Sequence, residues 1–134
     1  MADPAWEIED AEVRETLALP PEARYASFVQ LTADWEETWG LKDDNGWIVR
    51  GSNSHEAAFP LWPHPTFARL CARGPWEGTV PERISLDELL DDLLPLLDED
   101  AIVVEVFPAP EGPGTVITAA ELRRQLQREL DLGE

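Results

Sequence analysis

The chain has 134 residues, with 28 acidic against 10 basic side chains and a formal net charge of −18. This length fits one domain, and the acidity argues against direct binding to nucleic acids or anionic membranes, whose phosphates it would repel. Cys71 is the single cysteine and excludes an intramolecular disulfide, while the lack of a signal peptide or of an apolar run of ~18 residues leads us to expect a cytoplasmic protein.

The N-terminal part predicts two helices. Residues 1–20 are expected to form an acidic arm that is partly ordered or carries a short docking helix at about 10–18. Pro21 suits the first turn of a second helix, because the N–H that it lacks has no partner there. Large side chains recur at helical spacing through residues 21–35 and predict a buried stripe. They are Tyr25, Phe28, Val29, Thr32 and Trp35.

The stretch WGLKDDNGW at 39–47 predicts a β-hairpin. A type I turn with a bulge pairs residue 43 with 47 and places Trp39, Leu41, Trp47 and Val49 on one face. The alternative, a two-residue loop at Asn45-Gly46, pairs 44 with 47 and splits the tryptophans between the faces. Burial favours the bulged register, because it collects four large apolar side chains on one side.

The middle of the chain predicts two short strands around a helix. Residues 57–62 form a strand that Pro60 places at a sheet edge or a bulge. Pro65 opens a helix that runs to about Arg73. Its buried positions are Phe67, Leu70 and Cys71. Residues 80–85 form the second short strand.

Two capping boxes, S-x-x-E at 85–88 and T-x-x-E at 118–121, predict the starts of the last two helices. The first helix buries leucines at 86, 89, 90, 93, 94 and 97 and is expected to kink or end near Pro95. The second helix runs to about Leu130.

Residues 101–107, AIVVEVF, show the strongest strand pattern of the chain, and its nearly continuous apolar run indicates cover on both faces. Val116 and Ile117 add a short strand. The resulting order predicts an α+β fold, with a single mixed or antiparallel sheet of about four to five strands packed with about four helices. Residues 21–131 are expected to form this single domain.

Several sequence blocks resemble a bacterial family known as domain of unknown function 2750. They are ARYASFV (23–29), WGLKDDNGW (39–47), PLWPHPTFA (60–68), Trp76, ISLDELL (84–90) and VVEVFP (103–108). The resemblance covers about residues 21–126 and leaves out the acidic arm. It implies a small, stand-alone bacterial α+β protein, and it provides no catalytic residues because the family has no assigned activity.

Trp39, Trp47 and Trp62 allow two interpretations. The simpler one is that they belong to the core, where most tryptophans are largely buried. The other is a groove lined by indoles, with Arg50 or His64 at its rim, that binds a small planar ligand or a peptide. His64 lies between two prolines and suits a base or a ligand, although a local hydrogen bond at the start of a helix is the simpler role.

Other chemistry has little support in the sequence. Cys71 lies in the apolar stripe of its helix and is expected to be a buried, inert thiol. The spacing of His55, His64 and Cys71 is not that of a zinc site. We therefore predict no catalytic residues, no metal and no cofactor.

Asp87, Glu88, Asp91 and Asp92 lie opposite the leucines of their helix, within residues 84–122, which contain no Lys, Arg or His. Crowded like charges repel each other, and a basic protein surface would offset that cost. The preferred hypothesis is a non-enzymatic protein-binding or regulatory module, in its sharper form an immunity or inhibitor protein for a basic partner. The alternatives are a small-molecule-binding domain or enzyme using a tryptophan-rich groove, and a homo-oligomeric module that pairs near residues 57–62.

Overall fold

A computed structural model describes residues 7–49 and 57–132. The helices there are α1 (Asp10–Leu17), α2 (Pro21–Trp35), α3 (Pro65–Cys71), α4 (86–99) and α5 (Ala119–Leu132). The strands are β1 (Glu37–Asp43), β2 (Gly46–Trp47), β3 (Ala58–Leu61), β4 (Val80–Ser85), β5 (Val103–Val106) and β6 (Thr115–Ile117). The predicted α+β class is confirmed. No helix in these two ranges has the length and apolar character needed to cross a membrane.

The strands form two three-stranded sheets instead of the predicted single sheet. In the first, β1 lies between β2 and β4 and is antiparallel to both. In the second, β5 lies between β3, which is parallel to it, and β6, which is antiparallel. A bridge joins the two sheets: the backbone N–H groups of Trp39 and Trp62 each donate to the carbonyl of the other over 2.9 Å.

The sheet splits because two strands share one edge of β1. Its C-terminal half pairs with β2, and the Leu41 carbonyl accepts a hydrogen bond from the Ile48 N–H over 2.8 Å. β3 reaches the same edge only at the Trp39–Trp62 bridge. N–H groups alternate between the two edges of a strand, so position 60 would donate toward β1, as Trp62 does, but Pro60 has no N–H.

β3 is the edge strand of the second sheet, in line with the predicted edge or bulge at residues 57–62, but its edge is not exposed. All four residues of β3 are buried. β5 pairs along one side of β3, and β1 meets its other side at the bridge. Pro60 is tolerated here because the donor that it lacks would fall where the ladder to β1 is interrupted.

The hairpin has a register that neither sequence alternative predicts. Lys42 pairs with Trp47 and Asp43 with Gly46, which leaves a loop of two residues. The Asp43 carboxylate accepts a hydrogen bond from the Asn45 N–H over 2.8 Å and closes the turn. Gly46 follows at a φ of 122°, which glycine adopts without steric cost.

This register places Trp39 and Trp47 on opposite faces of the hairpin, so the predicted shared face is wrong. The Trp47 ring lies over Gly40, where a Cβ atom would be 3.0 Å from the indole. It also packs against Phe59, with ring centroids 5.6 Å apart, and the Lys42 ammonium lies 4.7 Å from its centroid. The missing side chain at Gly40 and the distant Phe59 together select the register.

The leucine stripe of α4 is confirmed and forms part of the hydrophobic core. Its members at 86, 89, 90, 94 and 97 are buried, and Leu93 packs partly buried against them. Both predicted helix starts are also confirmed, each with the hydroxyl half of its capping box. The N–H of Glu88 donates to the Ser85 hydroxyl and the N–H of Glu121 to the Thr118 hydroxyl, each over 3.1 Å.

Two helical residues predicted inside lie at the surface, as does Val49 of the hairpin. Trp35 is 47% exposed, because Glu36 adopts a left-handed φ of 59° and turns the chain out of α2 directly after it. Leu70 is 40% exposed, because α3 buries the ridge formed by Phe67 and Cys71 and Leu70 lies beside that ridge.

The acidic N-terminal segment contributes one helix to the fold. α1 begins at Asp10, and its Val13 is 8% exposed and belongs to the core. Residues 1–6 lie outside the described part of the chain. The division into an arm at 1–20 and a domain at 21–131 stays a prediction.

α4 is distorted near Pro95, as predicted, but it continues to Glu99 through a π-helical turn. In this turn the Leu94 N–H donates to the carbonyl of Leu89, five residues back. The next such bond would end on the Leu90 carbonyl, but proline has no N–H to donate. Arg123 of α5 supplies the donor, with its Nε 2.8 Å from that oxygen.

Arg123→Met is expected to lower the free energy of unfolding by about 1.5 kcal/mol, because the Leu90 carbonyl loses a charged donor. Arg124→Met removes only an exposed pair with Glu121 and should cost less than about 0.5 kcal/mol. Urea unfolding followed by circular dichroism measures both. Pro95→Ala restores a backbone N–H and should reduce the cost of Arg123→Met. An equal cost in both backgrounds would contradict this account.

Candidate functional site

A cleft of about 590 Å³ opens beyond the carboxyl end of β5. Its described lining comes from three segments that are far apart in the chain. They are Ile48 and Val49 after β2, Cys71, Arg73, Pro75 and Trp76 at and after the end of α3, and Pro108, Ala109, Pro110 and Gly112 after β5. Clefts at the carboxyl ends of parallel strands are frequent ligand sites, and this one has a typical ligand-site volume.

One wall of the cleft is the loop at residues 107–114, and Arg24 of α2 holds both of its ends. The Arg24 guanidinium donates to the carbonyls of Phe107 over 3.2 Å, Pro113 over 2.9 Å and Leu19 over 2.8 Å. Arg24 is only 5% exposed. Two of these three carbonyls belong to the loop, so this buried cation fixes both of its ends.

Three more buried side chains hold the same loop. The Glu105 carboxylate is fully buried and accepts a hydrogen bond from the Gly114 N–H over 2.9 Å. Trp62 Nε1 and Cys71 Sγ both donate to the Pro108 carbonyl, over 2.9 and 3.4 Å. Buried polar groups that are satisfied in this way give a fixed conformation, so the cleft wall is preformed.

Phe107 starts the loop in a strained backbone conformation. Its φ is 59°, in the left-handed region that non-glycine residues rarely adopt. The Phe107 N–H donates to the Leu61 carbonyl over 2.8 Å, and its ring packs on Phe67 with centroids 4.8 Å apart. Such strain persists only where the surroundings hold it, and it is frequent at binding and catalytic sites.

Cys71 lies at the base of the cleft as a neutral thiol. Burial raises its pKa to about 11, and the neighbouring Trp62 N–H and Arg73 charge lower it only in part. The thiolate is the nucleophilic form of cysteine, so this thiol contributes a small apolar surface to the cleft and no nucleophile at neutral pH.

The thiol of Cys71 should therefore react slowly with Ellman's reagent in the native protein and rapidly in urea. Above its ordinary pKa of 9.0 the unfolded chain loses the thiol proton, whereas the folded chain keeps it to about 11. The free energy of unfolding should fall across this window. Burial also raises the pKa of Tyr25, so Tyr25 contributes to the same fall in the free energy of unfolding. Cys71→Ala should lack only the part of this fall that Cys71 causes, which distinguishes the two groups. If the wild type and Cys71→Ala showed the same pH dependence of the free energy of unfolding, the raised pKa of Cys71 would be contradicted.

The three tryptophans proposed for a groove do not line a common accessible surface. Trp39 and Trp62 pair directly across the bridge between the sheets, whereas Trp47 lies on the opposite face of the hairpin from Trp39. Trp62 is fully buried and packs edge-to-face on Trp76, with centroids 6.1 Å apart. Trp39 and Trp47 are half-buried on opposite faces of the hairpin. Trp39 Nε1 is buried and finds no hydrogen-bond partner among the described residues. The structure brings none of the three to the surface of the cleft.

His64 caps α3. Its Nδ1 accepts a hydrogen bond from the Thr66 N–H over 3.1 Å, and its ring packs against Phe67 with centroids 6.4 Å apart. His64 is 5% exposed. This is the local hydrogen bond at a helix start that the sequence predicts. Arg50 and His55 lie outside the described residues, so their proposed roles stay predictions.

Asp87, Glu88, Asp91 and Asp92 are all exposed on α4, opposite its buried leucines. The C-terminal turn of α4 adds Asp98 and Glu99 and has no basic residue. None of the residues that line the cleft belongs to this helix. The acidic surface and the cleft are thus two separate features.

Sequence reasoning missed the cleft because its wall depends on contacts between distant segments. Arg73, Trp76 and the APEGPG stretch at 109–114 each look like ordinary loop residues in the sequence. One signal was available: a buried strand that ends in a loop rich in proline and glycine marks the place where α/β proteins bind ligands. Within residues 7–49 and 57–132, no three His, Cys, Asp or Glu side chains converge as metal ligands.

A family model described as a protein of unknown function, DUF2750, matches residues 25–126, most of the chain. The chain belongs to this family. The DUF2750 match begins after α1 and ends within α5, so it includes the described cleft residues and all of α4. No curated protein matches the chain significantly.

Proposed function

We propose that this DUF2750 protein is a non-enzymatic binding module that presents α4 to a basic surface of a partner protein. The observation that carries the proposal is the exposure of Asp87, Glu88, Asp91 and Asp92 on one helix. Complementary charge speeds the association of proteins and selects among partners. The leucine stripe of α4 fixes the helix on the core, so these carboxylates are held on a rigid element.

The charge of α4 is balanced at only one end of the helix. Asp87 and Glu88 lie in the first turn, where the helix dipole favours negative charge. Asp98 and Glu99 lie in the last turn, where the dipole disfavours them and no basic residue is present. Asp98 lines a shallow depression together with Arg123 and Arg124, whose positive charges lie near its carboxylate. The electrostatic cost of a negative charge at this end of the helix is therefore clearest for Glu99. A cationic partner surface would offset that cost.

Leu96 adds an apolar group to the same helix. It is 52% exposed, although its neighbours Leu94 and Leu97 are buried. Protein interfaces combine a desolvated apolar centre with a charged rim. Leu96 among the carboxylates of α4 fits that arrangement.

A sharper form of the proposal is an immunity or inhibitor role against a basic, nucleic-acid-binding partner. The carboxylates would occupy the positions of phosphates on the partner's basic surface. The net charge of −18 and the absence of Lys, Arg and His from residues 84–122 support this form.

The test compares two variants of equal net charge in affinity capture from a lysate. The first neutralises α4 with Asp87→Asn, Glu88→Gln, Asp91→Asn and Asp92→Asn. The control neutralises four exposed acids of α1 and α2 with Glu12→Gln, Glu15→Gln, Glu22→Gln and Asp34→Asn. A protein retained by the wild type and the control, but lost from the α4 variant, supports the proposal. Equal behaviour of the two variants would overturn it.

Salt dependence of the captured complex provides a second measurement. The Kd should rise at least about tenfold between low and physiological ionic strength, because screening weakens long-range attraction. A Kd that does not change with salt would remove the electrostatic premise.

The two alternatives have less support in the geometry. A groove built on Trp39, Trp47 and Trp62 would need indoles that share an accessible surface, but Trp62 is fully buried and Trp47 lies on the opposite face of the hairpin from Trp39. Self-association through β3 would need an accessible strand edge, whereas all four residues of β3 are buried and β1 meets its outer edge at the Trp39–Trp62 bridge.

A further inference from the structure

We propose that the cleft beside the loop at residues 107–114 binds a small organic anion with a flat apolar body, such as an aromatic carboxylate. This site is independent of the acidic surface of α4, because no residue of that helix lines it. The proposal rests on the shape of the cleft, on the rigidity of its wall and on its charge.

The walls of the cleft suit a flat apolar group. Trp76 is half-buried, and its edge-to-face contact with the buried Trp62 fixes its orientation. Pro75, Pro108 and Pro110 add rigid apolar surface that loses little conformational entropy when a ligand binds. Pockets lined mainly by apolar and aromatic groups, with a few polar groups, are typical of small-molecule sites.

The wall is held in place before any ligand arrives. Four buried side chains bind the backbone of the loop. They are Arg24, Trp62, Cys71 and Glu105. The loop also closes on itself, because the Ala109 N–H donates to the Gly112 carbonyl over 2.9 Å. A preformed site does not need to be ordered when it binds, and this increases affinity for a given set of contacts.

The described lining of the cleft has a charge opposite to that of the protein. Arg73 is the charged residue among its described lining, and that lining contains no carboxylate. Glu111 lies in the same loop but lines a different depression, together with Arg24. The planar guanidinium of an arginine pairs with a carboxylate through two parallel hydrogen bonds. A positive charge on the described lining, in a chain of net charge −18, therefore points to an anionic ligand.

The test uses three probes that share one ring and differ in charge: indole-3-propionate, 3-methylindole and tryptamine. Isothermal titration calorimetry should show that the anion binds with a Kd on the order of 1 mM or tighter, at least about tenfold more tightly than the cation. The net charge of the protein favours the cation, so a preference for the anion must come from the cleft. Tighter or equal binding of tryptamine, or no binding of the anion, would overturn the proposal.

Matched variants locate the site. Arg73→Gln should weaken indole-3-propionate about tenfold and leave 3-methylindole unchanged, whereas Arg69→Gln, on the exposed side of α3, should change neither. Trp76→Ala should weaken all three probes. Equal effects of the two arginine variants, or unchanged binding in Trp76→Ala, would overturn the proposal. Both arginines are exposed, so thermal unfolding should confirm that these variants stay folded.

Discussion

Gly114→Ala is expected to lower the free energy of unfolding by about 3 kcal/mol. A Cβ atom at this position would lie 2.3 Å from the Val106 carbonyl oxygen and 2.8 Å from the Pro108 nitrogen. These are backbone atoms, so no side-chain rotation relieves the clash. The loop cannot move away without breaking the bond from the Gly114 N–H to Glu105, which would remove one donor from a buried carboxylate.

Gly112→Ala provides the matched control, because a Cβ atom there meets nothing within 4 Å. It should change the free energy of unfolding by less than about 0.5 kcal/mol. Urea unfolding of both variants, followed by tryptophan fluorescence, measures the difference. A similar loss in the two variants would show that the loop is not clamped as described.

The clash at Gly114 also connects the fold to the cleft. Residues 107–114 form the cleft wall, so Gly114→Ala should weaken the binding of indole-3-propionate even under conditions where the protein stays folded. Gly112 also lines the cleft, so Gly112→Ala is a control for stability only, and Arg69→Gln, outside the cleft, is the control for binding. This comparison separates a site that needs its preformed loop from one that tolerates movement.

The elements whose ends have local chemical causes could be predicted from the sequence. Pro21 starts α2 at the predicted residue, and Ser85 and Thr118 cap the last two helices through their own hydroxyl groups. β4 spans the predicted residues 80–85. These signals lie within four residues of the feature that they determine, so a single sequence contains them.

The division of the sheet could not be predicted, because it depends on competition between strands. β2 and β3 meet the same edge of β1, and Pro60 decides where the ladder stops. The hairpin register depends on Gly40 and Phe59, which are 19 residues apart in the sequence. The Trp47 ring packs on both, and a Cβ atom at Gly40 would lie 3.5 Å from the Phe59 ring. A count of buried apolar side chains within the hairpin cannot include such a contact.

The two candidate sites also differ in how far the sequence alone could predict them. The acidic surface follows from helical periodicity alone, because the leucine stripe places Asp87 and Asp91 on the outside. The cleft depends on hydrogen bonds between Arg24 and carbonyls 83 and 89 residues away. Arg24 looks like an ordinary surface residue at the start of an amphipathic helix, and its burial is visible only in three dimensions.

Arg24→Met should be the most destabilising substitution of a charged side chain, at about 4 kcal/mol. Three carbonyls lose a charged donor, and the methionine that fills the space offers none in return. Arg24→Lys should recover only part of this loss, because one ammonium cannot reach carbonyls in three directions. Arg14→Met, at an exposed position of α1, is the control and should cost less than about 0.5 kcal/mol.

A double variant tests whether Arg24 acts through the loop. If Arg24 and Gly114 stabilise the same conformation of residues 107–114, Arg24→Met and Gly114→Ala together should cost clearly less than the sum of their separate losses. Additive losses would mean that Arg24 mainly stabilises α2, through its bond to the Leu19 carbonyl. The rigid wall of the cleft would then depend on Glu105, Trp62 and Cys71 alone.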